Sequence, residues 1–280
     1  MQSRLAGVWW ILAASVSFSI MGALVKAAQP AMSSLQVIFW RCVVVVIVAQ
    51  VMVRRSGAGL RPGSPKLMAA RCLGGLTAMF CFFETLGRLP LGTATALQYT
   101  SPVFTVVFAG LLLGERVGPR QITLVGLAFA AVLLILRPSF DVGAGPLLVG
   151  LTGGLLAGWV YTIVRQLRLT DSPARIVWWF AVTGAVATFP FALADGLPAT
   201  PREWALALGI GLGATGGQLG MTQAYRVEQA SVVGPFSYAT VVVSTLAGVL
   251  FFGEPLAPSA AIGTALFVLA GALLARGAGR

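Results

Sequence analysis

The chain has 280 residues, 58% of them hydrophobic and only 10% charged, with a net charge of +11. Soluble domains carry about a quarter charged residues, so this chain cannot clothe a water-facing surface; its mean hydropathy of +0.90 points to a membrane protein. There is no histidine, which removes imidazole acid–base chemistry, and Cys42, Cys72 and Cys81 lie in apolar runs without metal-ligand spacing, so free thiols and no metal or cofactor are expected.

Ten apolar stretches are long enough to be predicted as membrane helices: 6–27, 33–53, 67–87, 92–113, 120–137, 146–165, 175–194, 203–224, 231–252 and 259–276. The first runs on to about Lys26 with no small-residue cleavage site after it, and reads as a span, not a leader. The links are short and rich in turn formers, such as Arg61-Pro62-Gly63-Ser64-Pro65 and Asp195-Gly196-Leu197-Pro198. The expected fold is therefore all-α and integral to the membrane. The lipid bilayer is its main partner, and nucleic acid is not one.

Positive charge sets the expected orientation. With the amino terminus inside, fourteen basic residues fall in cytoplasmic segments: Arg4, Arg54, Arg55, Arg61, Lys66, Arg71, Arg116, Arg120, Arg165, Arg168, Arg175, Arg226, Arg276 and Arg280. Four (Lys26, Arg88, Arg137 and Arg202) fall outside, and Arg41 lies inside a span. The bias predicts an even number of spans with both termini cytoplasmic. It also explains the net charge better than a nucleic-acid partner does.

The chain repeats itself. Tyr99 matches Tyr238, Gly114 matches Gly253, Glu115 matches Glu254, Pro119 matches Pro258 and Trp40 matches Trp179, all at one offset (238 − 99 = 139). Lys26 falls on Arg165 and Pro62 on Pro201 in the same register. Two tandem units follow, residues 1–139 and 140–280, each of five spans. An odd number of spans places the second unit upside down relative to the first. The expectation is ten transmembrane helices as two inverted five-helix repeats, with a solute site between them near the midplane.

Polar residues fall on single helical faces: Ser15, Ser19, Gly22 and Lys26 in the first span; Thr77, Cys81, Glu84 and Arg88 in the third; Gln98, Ser101 and Thr105 in the fourth; Gly211, Thr215, Gln218, Thr222 and Tyr225 in the eighth; Ser237, Thr240 and Ser244 in the ninth. Each stripe has two readings, a cavity wall or close helix packing. Gln98 and Gln218 favour the cavity, because a buried amide needs partners. Trp159 and Tyr161 lie deep enough to line it, whereas Trp9, Trp10, Trp178, Trp179 and Trp204 sit near span ends and read as interface anchors. Among the ionisable residues, Arg41 and Glu84 either pair to tie two helices together or serve a solute, Glu84 then carrying a coupling proton. Lys26 and Arg88 either snorkel or form an outer vestibule for a substrate carboxylate. Gly253-Glu254 reads as a helix stop with a charge at the interface.

The stretches LGRLPLGTATALQYTSPVFTVVFAGLLLGE and QASVVGPFSYATVVVSTLAGVLFFGEPL resemble those of the drug/metabolite transporter superfamily, in particular its ten-span EamA-type permeases. The resemblance covers nearly the whole chain. It implies an inner-membrane secondary transporter, often an exporter, with a central cavity lined by spans 1, 3, 4, 6, 8 and 9. Members handle amino acids, nucleotide-like metabolites, vitamins and drugs. The sequence-level expectation is alternating-access transport of a small polar or amphipathic metabolite, with a lean toward one bearing a carboxylate. Candidate substrate contacts are Lys26, Arg41, Gln98, Tyr99, Ser101, Thr105, Trp159, Tyr161, Gln218, Thr222 and Tyr238, with Glu84 for coupling. A facilitator, exchanger or channel is the nearer rival, and a non-transporting scaffold the more remote one. No nucleophile–base set is present for an enzyme.

Overall fold

A computed structural model describes residues 2–57, 59–114, 144–167, 169–227 and 234–256, with isolated positions between 123 and 134 and between 258 and 269. The predicted fifth span and most of the tenth lie outside the described residues, as do Glu115 and the side chains of Thr222 and Arg165.

The helices are α1 (Gln2–Ala28), α2 (Ser34–Ser56), α3 (Pro65–Arg88), α4 (Leu91–Gln98), α5 (Ser101–Leu113), α6 (Ala144–Leu167), α7 (Pro173–Asp195), α8 (Pro201–Val227) and α9 (Ala239–Phe252), the last preceded by a 3-10 turn, Gly234–Tyr238. Among the described residues six stretches are long and apolar enough to cross a membrane, with α4 and α5 together supplying one of them. At 23 residues, α2 is about 34 Å long, enough for a hydrocarbon core of about 30 Å. Large apolar side chains such as Ile47, Leu73, Leu111, Val186, Phe189, Leu250 and Phe251 face outward. The chain is a multi-pass membrane protein.

Local signals explain the helix ends, and they recur. Ser33 caps α2 by accepting the N–H of Gln36, and Ser172 caps α7 by accepting the N–H of Arg175, at the same offset (172 − 33 = 139). Gly57 and Gly196 end those two helices with φ of 65° and 84°; Gly114 and Gly253 follow α5 and α9 with φ of 65° and 62°. These left-handed conformations suit glycine, which has no Cβ to clash.

The predicted fourth span is broken. Pro102 has no N–H to give the preceding turn, and Thr100 turns its hydroxyl onto the Leu97 carbonyl at 2.7 Å. Helix α4 therefore stops at Gln98, with Tyr99 at the joint. The 3-10 turn ending at Tyr238 is the matching joint before α9.

Glycines decide how the helices meet. Along α8, Gly209, Gly213, Gly216 and Gly220 meet Leu24, Met21, Ser17 and Ala14 of α1, in descending order, so the two helices run antiparallel. Gly74 and Gly153 bring α3 and α6 together in the same way, with Gly74 facing Trp159 and Gly153 facing Cys81. Small residues let backbones approach closely where lipid supplies no hydrophobic drive between helices. The Gly-rich eighth span is thus one unbroken helix. Helix α7 lies along α2, with Gly184 over Cys42. The core centres on Val25, Ile38, Phe83, Leu86, Leu91, Leu97, Leu167 and Ile210.

Three sequence readings change. Arg71 is no link residue; it lies inside α3 and is buried. Trp204 packs edge-on against Trp40, ring centres 4.8 Å apart, and does not simply anchor an interface. Trp179 donates its indole N–H to the Leu60 carbonyl at 2.8 Å.

Candidate functional site

The seam where α4, α5 and α9 meet α1 and α6 holds most of the candidate contacts. The Tyr99 hydroxyl donates to Thr240 Oγ1 at 2.8 Å, and its ring lies 6.4 Å from that of Tyr238. Ser19 donates to the Thr240 carbonyl at 3.1 Å, and Ser244 to Ser19 Oγ at 3.2 Å. Thr105 donates to the Ser101 carbonyl at 2.8 Å and lies 3.3 Å from the Gly158 carbonyl. In this conformation the hydroxyls of Ser19, Thr105, Thr240 and Ser244 each bond a neighbouring helix or their own.

Gln98 differs. Its Oε1 is buried and accepts no hydrogen bond. It faces Gly153 of α6, where a Cβ would sit 3.6 Å away. A buried amide oxygen without a partner costs about 1–3 kcal/mol, so the position calls for an occupant that donates to it. Trp159 is half-buried against Gly74, and Tyr161 is 43% exposed. Gln218 lies apart from this seam, beside a small apolar cavity of about 30 Å³ between α2, α7 and α8.

The charged residues group at one end. Lys26, Gln29, Glu84, Arg88, Arg202 and Phe252 line an open cavity of about 670 Å³. Lys26 neither snorkels nor stands free: it pairs with Glu254 at 2.8 Å and donates to the Leu89 carbonyl at 2.7 Å. Glu254 also accepts the Leu91 N–H at 2.8 and 3.0 Å, which caps the first turn of α4. The helix-stop reading was right for Gly253 but missed this role of Glu254. Both residues were placed at the same end by their span positions, the one signal that could have paired them. Glu84 does not pair with Arg41. It pairs with Arg88 at 2.7 Å on its own helix. Arg202 joins the cavity without having been singled out.

At the opposite end Asp171, between α6 and α7, accepts from the Gly63 N–H at 3.0 Å and from Arg175 at 3.1 Å. Burial alone would raise its carboxyl, but the bonds from Gly63, Thr170 and Arg175 outweigh that and hold it below the usual carboxylate range.

Arg41 and Arg71 stand outside both groups. They are 5% and 8% exposed, in the apolar interiors of α2 and α3. Arg41 Nε and Nη1 and Arg71 Nε have no hydrogen-bond partner.

Comparison with known proteins follows the same outline. The sequence profile of the EamA-like transporter family matches residues 5–137 and again 145–276. A pseudopaline exporter of Pseudomonas aeruginosa is 31% identical over 89% of this chain and 88% of its own length. A riboflavin transporter of Rhizobium johnstonii is 29% identical over 96% and 91%. Human solute carrier family 35 member G1 is 25% identical over 89% and 73%. A protein of known crystal structure shares the fold, with a TM-score of 0.72 over 98% of both chains at 18% identity. The exporter, the riboflavin transporter and the solute carrier are transporters by name, not enzymes, and the chain belongs to the EamA-like transporter family.

Proposed function

We propose that the protein is a secondary active transporter that exports a small polar or amphipathic organic metabolite across a bacterial inner membrane by alternating access. It is built as ten spans in two inverted five-helix repeats, residues 1–139 and 140–280, with both termini cytoplasmic. The observation that carries this reading is the recurrence of caps and joints at one offset, Ser33 with Ser172 and Tyr99 with Tyr238, in helices whose directions oppose. Two equivalent units packed head to tail can exchange conformations, and solutes bind between them. The solute site is the seam around Gln98, with Tyr99, Tyr238, Ser101 and Thr105 on one side and Trp159 and Tyr161 on the other. Close glycine packing of α1 on α8 and of α3 on α6 favours a carrier over an open channel.

Untargeted mass spectrometry of the medium tests this. Cells producing the wild type should accumulate one or a few metabolites outside at several-fold the level of cells producing an equal amount of Gln98→Ala. Identical media, at matched membrane yield, would contradict it.

A further inference from the structure

Buried guanidinium groups without a counter-charge are costly, and one α-helical bundle holding two of them needs a reason. Arginine is always charged, and a charge taken out of water demands a counter-charge or a full set of hydrogen bonds. Among the described residues, neither Arg41 nor Arg71 has an ion pair; the pairs present are Lys26 with Glu254, Arg88 with Glu84 and Arg175 with Asp171. Arg71 stacks on the Phe180 ring, its guanidinium carbon 4.1 Å from the ring centre. It lies over Gly75, where any Cβ would collide with Nη1. Tyr161, Cys72 and Arg41 are near enough to act on its charge. Arg41 lies beside the weakly polar Cys42 thiol.

The repeat supplies a second argument. A side chain that the five-helix unit needs for its own packing has reason to recur, as Tyr99 recurs in Tyr238. These two arginines do not. At the same offset Arg41 corresponds to Phe180 (41 + 139) and Arg71 to Ile210 (71 + 139). The ring that carries the Arg71 guanidinium is thus the counterpart of Arg41. The two arginines are therefore particular to the first unit.

The geometry points to Arg41 and Arg71 as a two-arginine anion site in the membrane interior that receives a carboxylate or phosphate group of the transported solute. This rests on the transporter reading above and narrows it to organic anions. A guanidinium fork bonds a carboxylate or phosphate with two parallel N–H donors, and such charge-assisted bonds strengthen away from water. Phe180 and Gly75 hold the Arg71 fork in place when the site is empty. The charged cavity at the Lys26 end is a separate, more exposed region, whose Lys26 and Arg88 are already neutralised by Glu254 and Glu84.

The test uses the full chain purified in detergent at constant ionic strength. Succinate and inorganic phosphate are titrated, each beside a neutral control: succinamide and glycerol. At least one anion should raise the melting temperature saturably by about 3 °C or more, with no response to the controls; which one responds assigns carboxylate or phosphate. Arg41→Gln and Arg71→Gln should weaken that response at least tenfold. Gly75→Ala, which pushes the Arg71 fork aside, should weaken it too. Arg71→Met adds a readout independent of ligand: removing an unpartnered buried charge should raise the anion-free melting temperature by about 2–4 °C, whereas a structural arginine would lower it. Equal response to anions and neutral controls, an unchanged response in both glutamine variants, or a lowered melting temperature in Arg71→Met would overturn the site. Transport is separable: a wild type that binds the anion yet shows no counterflow of it in proteoliposomes keeps the site and fails as a carrier, while counterflow of a neutral solute untouched by Arg71→Gln does the reverse.

Discussion

Gln98 and Asp171 show two ways in which one polar residue can act. Among the described residues Gln98 keeps a buried oxygen without a donor, and under the proposed function that oxygen is held for a bound solute. Replacing it with alanine should remove about 1–1.5 kcal/mol of solute binding, a rise in KM of about five- to tenfold. The melting temperature should stay within about a degree of the wild type. A fall of several degrees with KM unchanged would make Gln98 a helix tie instead. Asp171 is the opposite case, since its bonds from Gly63, Thr170 and Arg175 are made in the folded state and join the α2–α3 link to the start of α7. Its folded pKa lies below the unfolded one, so its stabilisation is fully present above the unfolded value of about 4 and is lost as pH falls through the folded value. Asp171→Asn should therefore melt earlier than the wild type at pH 7, and the gap should close on acidification toward pH 3. A gap of constant size would mean that the carboxylate charge plays no part.

At the scale of elements, helix contacts are governed by where side chains are missing. A Cβ on Gly158 would press on the Ser101 carbonyl at 2.8 Å and the Thr105 amide at 2.9 Å, both backbone atoms of α5 that cannot swing away. Gly158→Ala should separate α5 from α6 and cost about 1–3 kcal/mol, seen as a lowered melting temperature. An unchanged melting temperature would show that these helices are not held in contact. Much of this was legible beforehand. The spans at 33–53 and 175–194 fall on α2 and α7 within a few residues, because their apolar runs are bounded by a serine cap and a glycine stop. The joint at Tyr99 was not foreseen: the run from 92 to 113 is apolar enough on average to read as one span despite its polar residues from Gln98 to Ser101, and hydropathy does not register one missing N–H at Pro102. Ser15 and Ser19 share one unbroken helix, whereas the joint at Tyr99 divides Gln98 from Ser101 and Thr105, and Ser237 lies in the 3-10 turn before α9. Which face met a helix and which a cavity depended on the neighbour, which spacing along one helix does not contain. The partner of Glu84 was misjudged for a similar reason. Arg88, one turn away on the same helix, needed no tertiary contact to reach it, whereas Arg41 did.

For the whole molecule, composition and the 139-residue offset carried the reading furthest, since a chain with 10% charged residues has to place its surface in lipid. What they left open was the chemistry of the interior, because the buried Arg41 and Arg71 have no ion pair among the described residues, and that is visible only in three dimensions. Orientation follows the basic residues: reporter fusions at Arg280 and in the link from Arg54 to Lys66 should read cytoplasmic, and one beside Asp195 should read external. An external signal at Arg280 would break the arrangement of two opposed units. Transport between those units is tested most directly by counterflow in proteoliposomes, using the metabolite that accumulates outside producing cells. Unlabelled solute trapped inside should accelerate entry of labelled solute several-fold, with saturation, and Gln98→Ala should shift the half-saturating concentration upward. Entry that rises linearly with concentration and ignores the trapped solute would contradict a carrier and leave a pore in its place.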